Sequence, residues 1–191
     1  MPSLASGLAC IGPSTFTSIA LILSIFANSR CNLVKLTDAF PGDLAIEPTA
    51  LGLWCFEDSF GNSWDARSYD GDNKFEAARG LGTSVLVFGW IMLIFYLFAS
   101  CKPFPPLWFR VIGLFGVINC LLQGLVFLVY KSKVCANGCS LDTGGRCAVA
   151  AIVFWFIAGL TSCGVGKVPE DSSGGADDKE DDAPEQAEPE P

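Results

Sequence analysis

Four long apolar blocks alternate with polar stretches along the chain, at residues 11–27, 81–100, 107–130 and 148–163. A helix needs about 20 apolar residues to cross the hydrocarbon layer of a bilayer. The second and third blocks reach that length alone, and the other two reach it with flanking Ser, Gly or Cys. Among the charged residues, only Arg110 comes close to the inside of a block. The pattern predicts a membrane protein with an all-α four-helix bundle, its helices at about 11–29, 74–101, 106–130 and 147–165.

The first block has a second interpretation, as a secretory signal peptide. Ala27-Asn28-Ser29 has the small-x-small form of a cleavage site. A signal peptide opens with a positively charged segment, however, and no Lys or Arg precedes this block. We therefore expect residues 11–29 to remain as a helix.

The polar loop between the first two blocks, residues 30–73, contains β-like runs that turn residues separate. The runs cover residues 32–37, 44–56 and 64–69. Alternation within the second run places Gly52, Trp54 and Phe56 on one face. We expect a small extracellular antiparallel β-sheet in this first loop, with Trp54 packed where the sheet meets the bundle.

The second helix has a recognisable start. Asn73 and Glu76 have the spacing of a capping box, in which a capping residue is followed three positions later by Glu. The helix should then begin at residue 74, outside the membrane. It would place Arg79 at the membrane boundary, under the sheet.

Charge separates the body of the chain from its end. The whole chain has a net charge of −8, and residues 164–191 carry ten acidic and two basic side chains. That segment has no aromatic residue and is rich in Gly, Ser and Pro, so it cannot bury a core. We expect residues 1–163 to form the four-helix transmembrane domain and residues 164–191 to form a disordered acidic cytoplasmic tail.

Two rules of composition disagree about orientation. The loops 30–80 and 131–146 share one side of a four-helix chain and hold eight of the twelve Lys and Arg residues, which favours the cytoplasm. Cysteines cluster in or beside the same loops, which favours an oxidising compartment. These cysteines are Cys31, Cys55, Cys135, Cys139 and Cys147. We follow the cysteines and expect extracellular loops at 30–73 and 131–146, cytoplasmic termini and a plasma-membrane location.

The same five cysteines are candidates for disulfide bonds. Four cysteines allow three pairings, and a fifth leaves one thiol over. We prefer Cys31 with Cys55, because Cys31 begins the loop and the strand after it can lie alongside the second run.

The residue types argue against an enzyme. The chain has no His, which is the commonest general base, and no Gly-rich phosphate loop or paired intramembrane carboxylates. A membrane thiol oxidoreductase would need a C-x-x-C pair, whereas three residues separate Cys135 from Cys139. We expect no catalytic, cofactor-binding or metal site, no cofactor, no nucleic-acid partner and no small-molecule substrate.

Small and polar residues mark one face of the third helix. Asn119 and Gln123 lie four positions apart and are expected to form hydrogen bonds between helices. Gly116, Cys120 and Gly124 form a small-xxx-small pattern that lets another helix approach closely.

Two further cysteines mark the opposite side of the predicted bundle. Cys101 and Cys163 fall at the cytoplasmic ends of the second and fourth helices, where juxtamembrane cysteines are candidates for S-acylation. A role as small buried apolar residues is the alternative.

The order of these features resembles the claudin and peripheral-myelin-protein superfamily of four-transmembrane proteins. The residues that carry the resemblance are Gly52-Leu53-Trp54 followed by a cysteine, then Tyr69-Asp70, then Ala77-Ala78-Arg79. The resemblance runs from the first helix to the fourth and implies a left-handed four-helix bundle with an extracellular β-sheet. The chain departs from the family pattern in its cysteines, because one follows the motif directly and the other lies upstream of it, and in lacking the upstream Trp of claudins.

The resemblance implies a role in cell–cell contact, in paracellular barriers or beside other membrane proteins. We therefore expect a non-enzymatic, claudin-like integral membrane protein for cell contact or membrane organisation. An auxiliary subunit of a channel or transporter is the alternative, and a membrane thiol oxidoreductase is the third. The expected partners are the lipid bilayer and either further copies of this chain or another membrane protein.

Overall fold

The computed structural model describes residues 4–36, 48–66, 72–102, 104–135 and 138–165. Four helices account for most of these residues; they are α1 (Leu4–Ser29), α2 (Asn73–Cys101), α3 (Pro106–Leu125) and α4 (Thr143–Val165). Two 3-10 segments, Val126–Lys131 and Lys133–Cys135, follow α3. Residues 166–191, which make up nearly all of the predicted acidic tail, lie outside the described residues.

The four helices pack together as a ring, and each is long and apolar enough to cross a membrane. Both α2 and α4 pack along α1 and α3, so α1 lies diagonally opposite α3. Large apolar side chains cover the outside of the ring; examples are Ile22, Trp90, Leu97, Leu121 and Phe156. The predicted bundle of four apolar helices is confirmed. α1 and α4 each begin several residues earlier than the apolar blocks indicate.

A tryptophan fills the centre of the bundle. Trp155 of α4 is fully buried and belongs to one apolar cluster with Met92 and Tyr96 of α2. A Cβ on Gly89 would lie 2.8 Å from Cη2 of Trp155. Because protein interiors are closely packed, α2 can receive the indole only where it carries a glycine.

Glycines bring α3 and α4 into close contact. A Cβ on Gly116 would lie 2.8 Å from the Cα of Gly159, and a Cβ on Gly113 would lie 2.8 Å from the carbonyl oxygen of Gly159. The small-residue face expected on α3 therefore includes Gly116 but extends toward Gly113. Gly124 has open space where its Cβ would lie, so the close approach ends before this position.

A five-stranded antiparallel sheet covers the end of the bundle where α1 ends and α2 begins. Its strands are β1 (Val34–Leu36), β2 (Pro48–Leu51), β3 (Cys55–Asp58), β4 (Ser63–Asp65) and β5 (Cys139–Leu141), in the spatial order β4-β3-β2-β1-β5. The expected antiparallel sheet is confirmed, but its restriction to the first loop is wrong. β5 comes from the second loop and pairs with β1, which would otherwise expose unpaired backbone groups at a sheet edge.

The apolar run predicted as one strand, residues 44–56, breaks at Gly52. β2 ends and β3 begins on either side of a turn, with Leu51 opposite Phe56 in the antiparallel pair. The N–H of Gly52 donates to the carbonyl oxygen of Cys55 at 2.8 Å and closes the turn. Residues 44–47, and residues 67–69 of the last predicted run, lie outside the described residues.

Two rows of residues cross the whole sheet. The row Trp64, Phe56, Leu51, Val34 and Leu141 alternates along the strands with the row Ser63, Glu57, Ala50, Lys35 and Ser140. Successive residues of a strand point to opposite faces, so the first row makes one face apolar. Its three central members are buried in a cluster with side chains of α1, α2 and α4, which fixes the apolar face on the bundle.

α2 begins one residue earlier than predicted, and its capping residue is different. Asp72, rather than Asn73, is the cap, and its Oδ1 accepts a hydrogen bond from the N–H of Lys74 at 3.1 Å. Its Oδ2 accepts from the N–H of Lys133 at 2.6 Å. Both oxygens of an ionised carboxylate accept, whereas an Asn side chain has one acceptor oxygen. Asp72 can therefore cap α2 and hold the second loop at the same time.

Candidate functional site

The turn between β2 and β3 lies directly on the helices. Together, turn residues 52–54, Ala66 and Arg79 form what we call the sheet–bundle junction. A Cβ on Gly52 would collide with a carbonyl oxygen at the end of α1 and would lie 2.8 Å from the Cα of Cys31. The turn can approach α1 this closely only because position 52 is a glycine.

Arg79 of α2 binds two parts of the sheet at once. Its Nε donates to the carbonyl oxygen of Leu53 at 2.6 Å, and its Nη2 donates to the carbonyl oxygen of Ala66 at 2.7 Å. The guanidinium lies 4.6 Å from the ring centroid of Phe75 and is only 9% exposed. A guanidinium presents several N–H donors in a rigid plane, so one side chain can tie the β2–β3 turn and the end of β4 to one helix.

Leu53, and not Trp54, anchors the turn by burial. Leu53 is 1% exposed and belongs to the apolar cluster that contains Phe75 and Ala78. Trp54 is 50% exposed and meets the junction through the guanidinium of Arg79, which lies 5.5 Å from its ring centroid. The expectation of a packed Trp54 is wrong, because the alternation of a continuous strand does not carry across a turn.

Two disulfides lie on the sheet side of the bundle. Cys31 is bonded to Cys55, with Cα atoms 4.9 Å apart, which joins the end of α1 to the first residue of β3. This is the pairing preferred from the sequence. Cys135 is bonded to Cys139, with Cα atoms 5.3 Å apart, at the start of β5. Cys147 is a free thiol that packs against the apolar cluster under the sheet.

At the far end of the sheet, Asp58 organises the turn between β3 and β4. Its Oδ1 accepts hydrogen bonds from the N–H groups of Phe60 at 2.9 Å and Asn62 at 2.8 Å. Its Oδ2 accepts from Nδ2 of Asn62 and Nε1 of Trp64, each at 3.1 Å. Burial acts to raise the pKa of Asp58, but the four hydrogen bonds outweigh it and lower the pKa to about 2.

The same turn displays aromatic side chains. Gly61 has a φ of 80°, a left-handed conformation that allows the chain to reverse tightly. Phe60 at the tip of the turn is 87% exposed, and Trp64 beside it is 44% exposed. Because Asp58 fixes the backbone on both sides of Phe60, the ring is held out from the sheet on a rigid support.

The polar pair of α3 lies inside the bundle. Oγ of Ser24 donates to Oε1 of Gln123 at 3.1 Å and accepts from Nε1 of Trp155 at 3.0 Å. Nδ2 of Asn119 faces the carbonyl oxygen of Val85 at 3.5 Å. The pair therefore contacts α1 and α2 directly, and α4 through the serine.

Besides Cys147, three free cysteines among the described side chains lie on the helices. Cys120 is partly buried on α3, and Cys101 is exposed at the end of α2. Cys163 is partly buried, and a Cβ on Gly113 would lie 2.5 Å from its Sγ. S-acylation at positions 101 and 163 stays a prediction, and Cys101 is the more accessible of the two thiols.

Sequence reasoning missed several partners that complete these sites. Ala66 contributes only a carbonyl oxygen, which has no signature in a sequence. Ser24 and Trp155 are ordinary helix residues until the helices are packed. Asp58 did have a signature, because Asp followed by Gly and Asn within four residues is typical of a side-chain-supported turn.

No family model matches the chain, and no curated protein matches it. The resemblance to claudins therefore depends on the motif residues of this chain alone.

Proposed function

We propose that the protein is a non-enzymatic, claudin-like integral membrane protein that acts in cell contact or membrane organisation. In this proposal the four helices cross the plasma membrane, the sheet is extracellular and the termini are cytoplasmic. The length of the helices and the apolar side chains on their outward faces support the membrane placement. The two disulfides on the sheet side support an extracellular sheet, because disulfides persist in oxidising compartments.

The sheet–bundle junction supports the claudin-like assignment. The resemblance depends on a Gly-Leu-Trp motif and on Arg79, which are far apart in sequence. In the structure the guanidinium of Arg79 binds the carbonyl oxygen of Leu53 and lies near the ring of Trp54. Three of the residues that carry the resemblance, Leu53, Trp54 and Arg79, thus form one contact, and that contact attaches the sheet to the helices.

The observation that carries the contact role is a firmly attached sheet with an exposed aromatic side chain at its far end. The Cys31–Cys55 disulfide and Arg79 hold the sheet on the bundle, and Asp58 holds Phe60 away from it. Aromatic side chains are enriched at protein–protein interfaces. A surface that is already ordered loses little further conformational entropy when a partner binds.

The test is the distribution of the protein in mixed cell cultures. Cells that express a tagged form are grown with cells that do not, and the tag is imaged along both kinds of boundary. We expect enrichment where two expressing cells meet, and loss of that enrichment in Phe60→Ser. Ser59→Ala, in the same turn, is the matched control and should behave as wild type.

Three outcomes would count against the contact role. Equal intensity at contacting and free edges would exclude homotypic contact. Co-purification with one channel or transporter at a fixed ratio would favour the auxiliary subunit. Dithiol-linked oxidation catalysed by the purified protein, and lost in Cys135→Ser, would favour the thiol oxidoreductase.

A further inference from the structure

Two carboxamide side chains of α3 lie one helical turn apart in the interior of the bundle. Asn119 and Gln123 are both 0% exposed. Residues four apart on a helix are neighbours on one face, so the two amides adjoin each other. Each is held at one end only, Gln123 by Ser24 and Asn119 by the carbonyl oxygen of Val85.

The other end of each amide has no hydrogen-bond partner within the part of the chain that the structure describes. These ends are Nε2 of Gln123, which is a donor, and Oδ1 of Asn119, which is an acceptor. A buried polar group without a partner destabilises the folded state, and such groups are rare in native proteins. An unpartnered donor and an unpartnered acceptor on adjoining turns are complementary to a molecule that both donates and accepts.

We infer that an internal water molecule binds between Gln123 and Asn119. The water accepts a hydrogen bond from Nε2 of Gln123 and donates one to Oδ1 of Asn119. Buried waters in proteins typically make about three hydrogen bonds to otherwise unpartnered polar groups.

The chemistry of the two amides selects water over an ion. A metal cation would face the N–H donors of Gln123, and an anion would face the carbonyl oxygen of Asn119. Water suits both groups. The assignment also holds if the amide of Gln123 is turned by 180°, since Oγ of Ser24 could then accept from Nε2 and water would donate to the unpartnered Oε1. The amide of Asn119 is fixed by the carbonyl oxygen of Val85, which can only accept.

The experiment exploits the small number of glutamines in the chain. Only Gln123 and Gln186 are present, so Gln186→Ala with ¹⁵N-glutamine labelling leaves Gln123 as the one labelled side-chain amide. The labelled protein, in nanodiscs of deuterated lipid, is examined for magnetisation transfer from the water resonance to these amide protons. A bound water gives NOE and ROE cross-peaks of opposite sign, whereas proton exchange gives the same sign.

We expect cross-peaks of opposite sign in the labelled protein and in Ser24→Ala, where no serine hydroxyl can relay the transfer. Asn119→Leu removes one ligand of the water and should reduce the cross-peak several-fold. Thr161→Val is the matched control, because its hydroxyl already bonds within α4, and it should leave the cross-peak unchanged.

Other results would overturn the assignment. The absence of the cross-peak in Gln186→Ala would mean that the interior is dry beside Gln123, and this result needs no further variant. Loss of the peak in Ser24→Ala would identify the hydroxyl as its source. An unchanged peak in Asn119→Leu would exclude the bridge to Asn119.

Discussion

Arg79 has a charge that lysine shares and a planar set of N–H donors that lysine lacks. Replacement by lysine therefore tests the contribution of the donor geometry alone. Arg79→Lys keeps the charge but cannot reach the carbonyl oxygens of Leu53 and Ala66 together. A hydrogen bond from a charged group contributes about 1.5–3 kcal/mol, and we expect the free energy of unfolding of the sheet to fall by that amount. Resistance of the loop to protease in detergent measures the change. Arg30→Lys, at an exposed arginine, is the control; equal stability of the two variants would contradict the role of Arg79.

Asp58 makes the far turn sensitive to acid. Its pKa of about 2 in the folded protein lies below the ordinary value of an aspartate. A lowered pKa adds stability that is fully present above the ordinary value and is lost as the pH falls through the folded value. We therefore expect the fluorescence of Trp64 to report opening of the turn as the pH falls from about 4 to about 2. The contribution of Trp64 is obtained by subtracting the fluorescence spectrum of Trp64→Phe from that of the wild-type protein.

Two variants test the origin of this acid sensitivity. Asp58→Asn has no carboxylate to protonate and should lose the change between about pH 4 and pH 2. Trp64→Phe removes one hydrogen bond to the carboxylate, so the turn should open at a higher pH than in the wild-type protein. Cleavage of the turn by a protease measures the pH at which it opens. If Asp58→Asn keeps the wild-type profile, other carboxylates control the turn.

At the scale of elements, the β2–β3 hairpin depends on one buried side chain. Leu53→Ala should destabilise the sheet by about 2–5 kcal/mol, the usual cost of a cavity in a core. Trp54→Ala should cost about 0.5–1 kcal/mol, since a half-exposed ring over a guanidinium contributes little more. Thermal unfolding of the two variants, followed by near-UV circular dichroism, measures the difference. A larger loss of stability in Trp54→Ala than in Leu53→Ala would show that the tryptophan anchors the hairpin.

The Cys31–Cys55 disulfide ties α1 to β3 across a sequence separation of 24 residues. In the loop-entropy account, a closed loop of this size contributes about 3–4 kcal/mol. Cys31→Ser and Cys55→Ser should each lower stability by that amount, and the double variant should lower it no further, because both changes remove one bond. Urea unfolding measures all three. Additive losses would mean that each cysteine acts separately.

The same elements show what local sequence can predict. The helices can be predicted from the length of the apolar runs, since a run of about 20 apolar residues is typical of a membrane-spanning helix. The strands depend on partners, and β5 has only three residues, too few for a periodic pattern to emerge. The break at Gly52 is hidden because apolar residues continue on both sides of it. It becomes visible only when α1 is in place and excludes any side chain at that position.

On the scale of the whole molecule, the motif residues were predictable and their roles were not. The resemblance to a family pattern predicts Gly52, Leu53, Trp54 and Arg79 as a group. Which of the adjacent pair Leu53 and Trp54 is buried depends on the direction of a turn, which tertiary contacts determine. Likewise, the hydrogen bonding of Gln123 depends on a serine 99 positions away.

The orientation of the whole molecule decides whether the sheet can meet another cell, and one substitution on each side tests it. The chain has no Asn-x-Ser/Thr sequence, so it has no native site for N-glycosylation. Gly61→Asn creates one at the exposed far turn, where Asn is the residue that best tolerates a φ of 80° in place of glycine. Asp171→Asn creates one in the predicted tail.

Under the proposed orientation, the Gly61→Asn protein gains a glycan when it is made in cells that glycosylate secreted proteins, and the Asp171→Asn protein does not. A mobility shift that an endoglycosidase reverses measures the gain. The wild-type protein, with no acceptor sequence, is the control for both. The disulfides lead us to this expectation, although the excess of Lys and Arg on the sheet side favours the cytoplasm. A glycan on the Asp171→Asn protein alone would show that the positive residues determine orientation, and the sheet would then be excluded from contacts between cells.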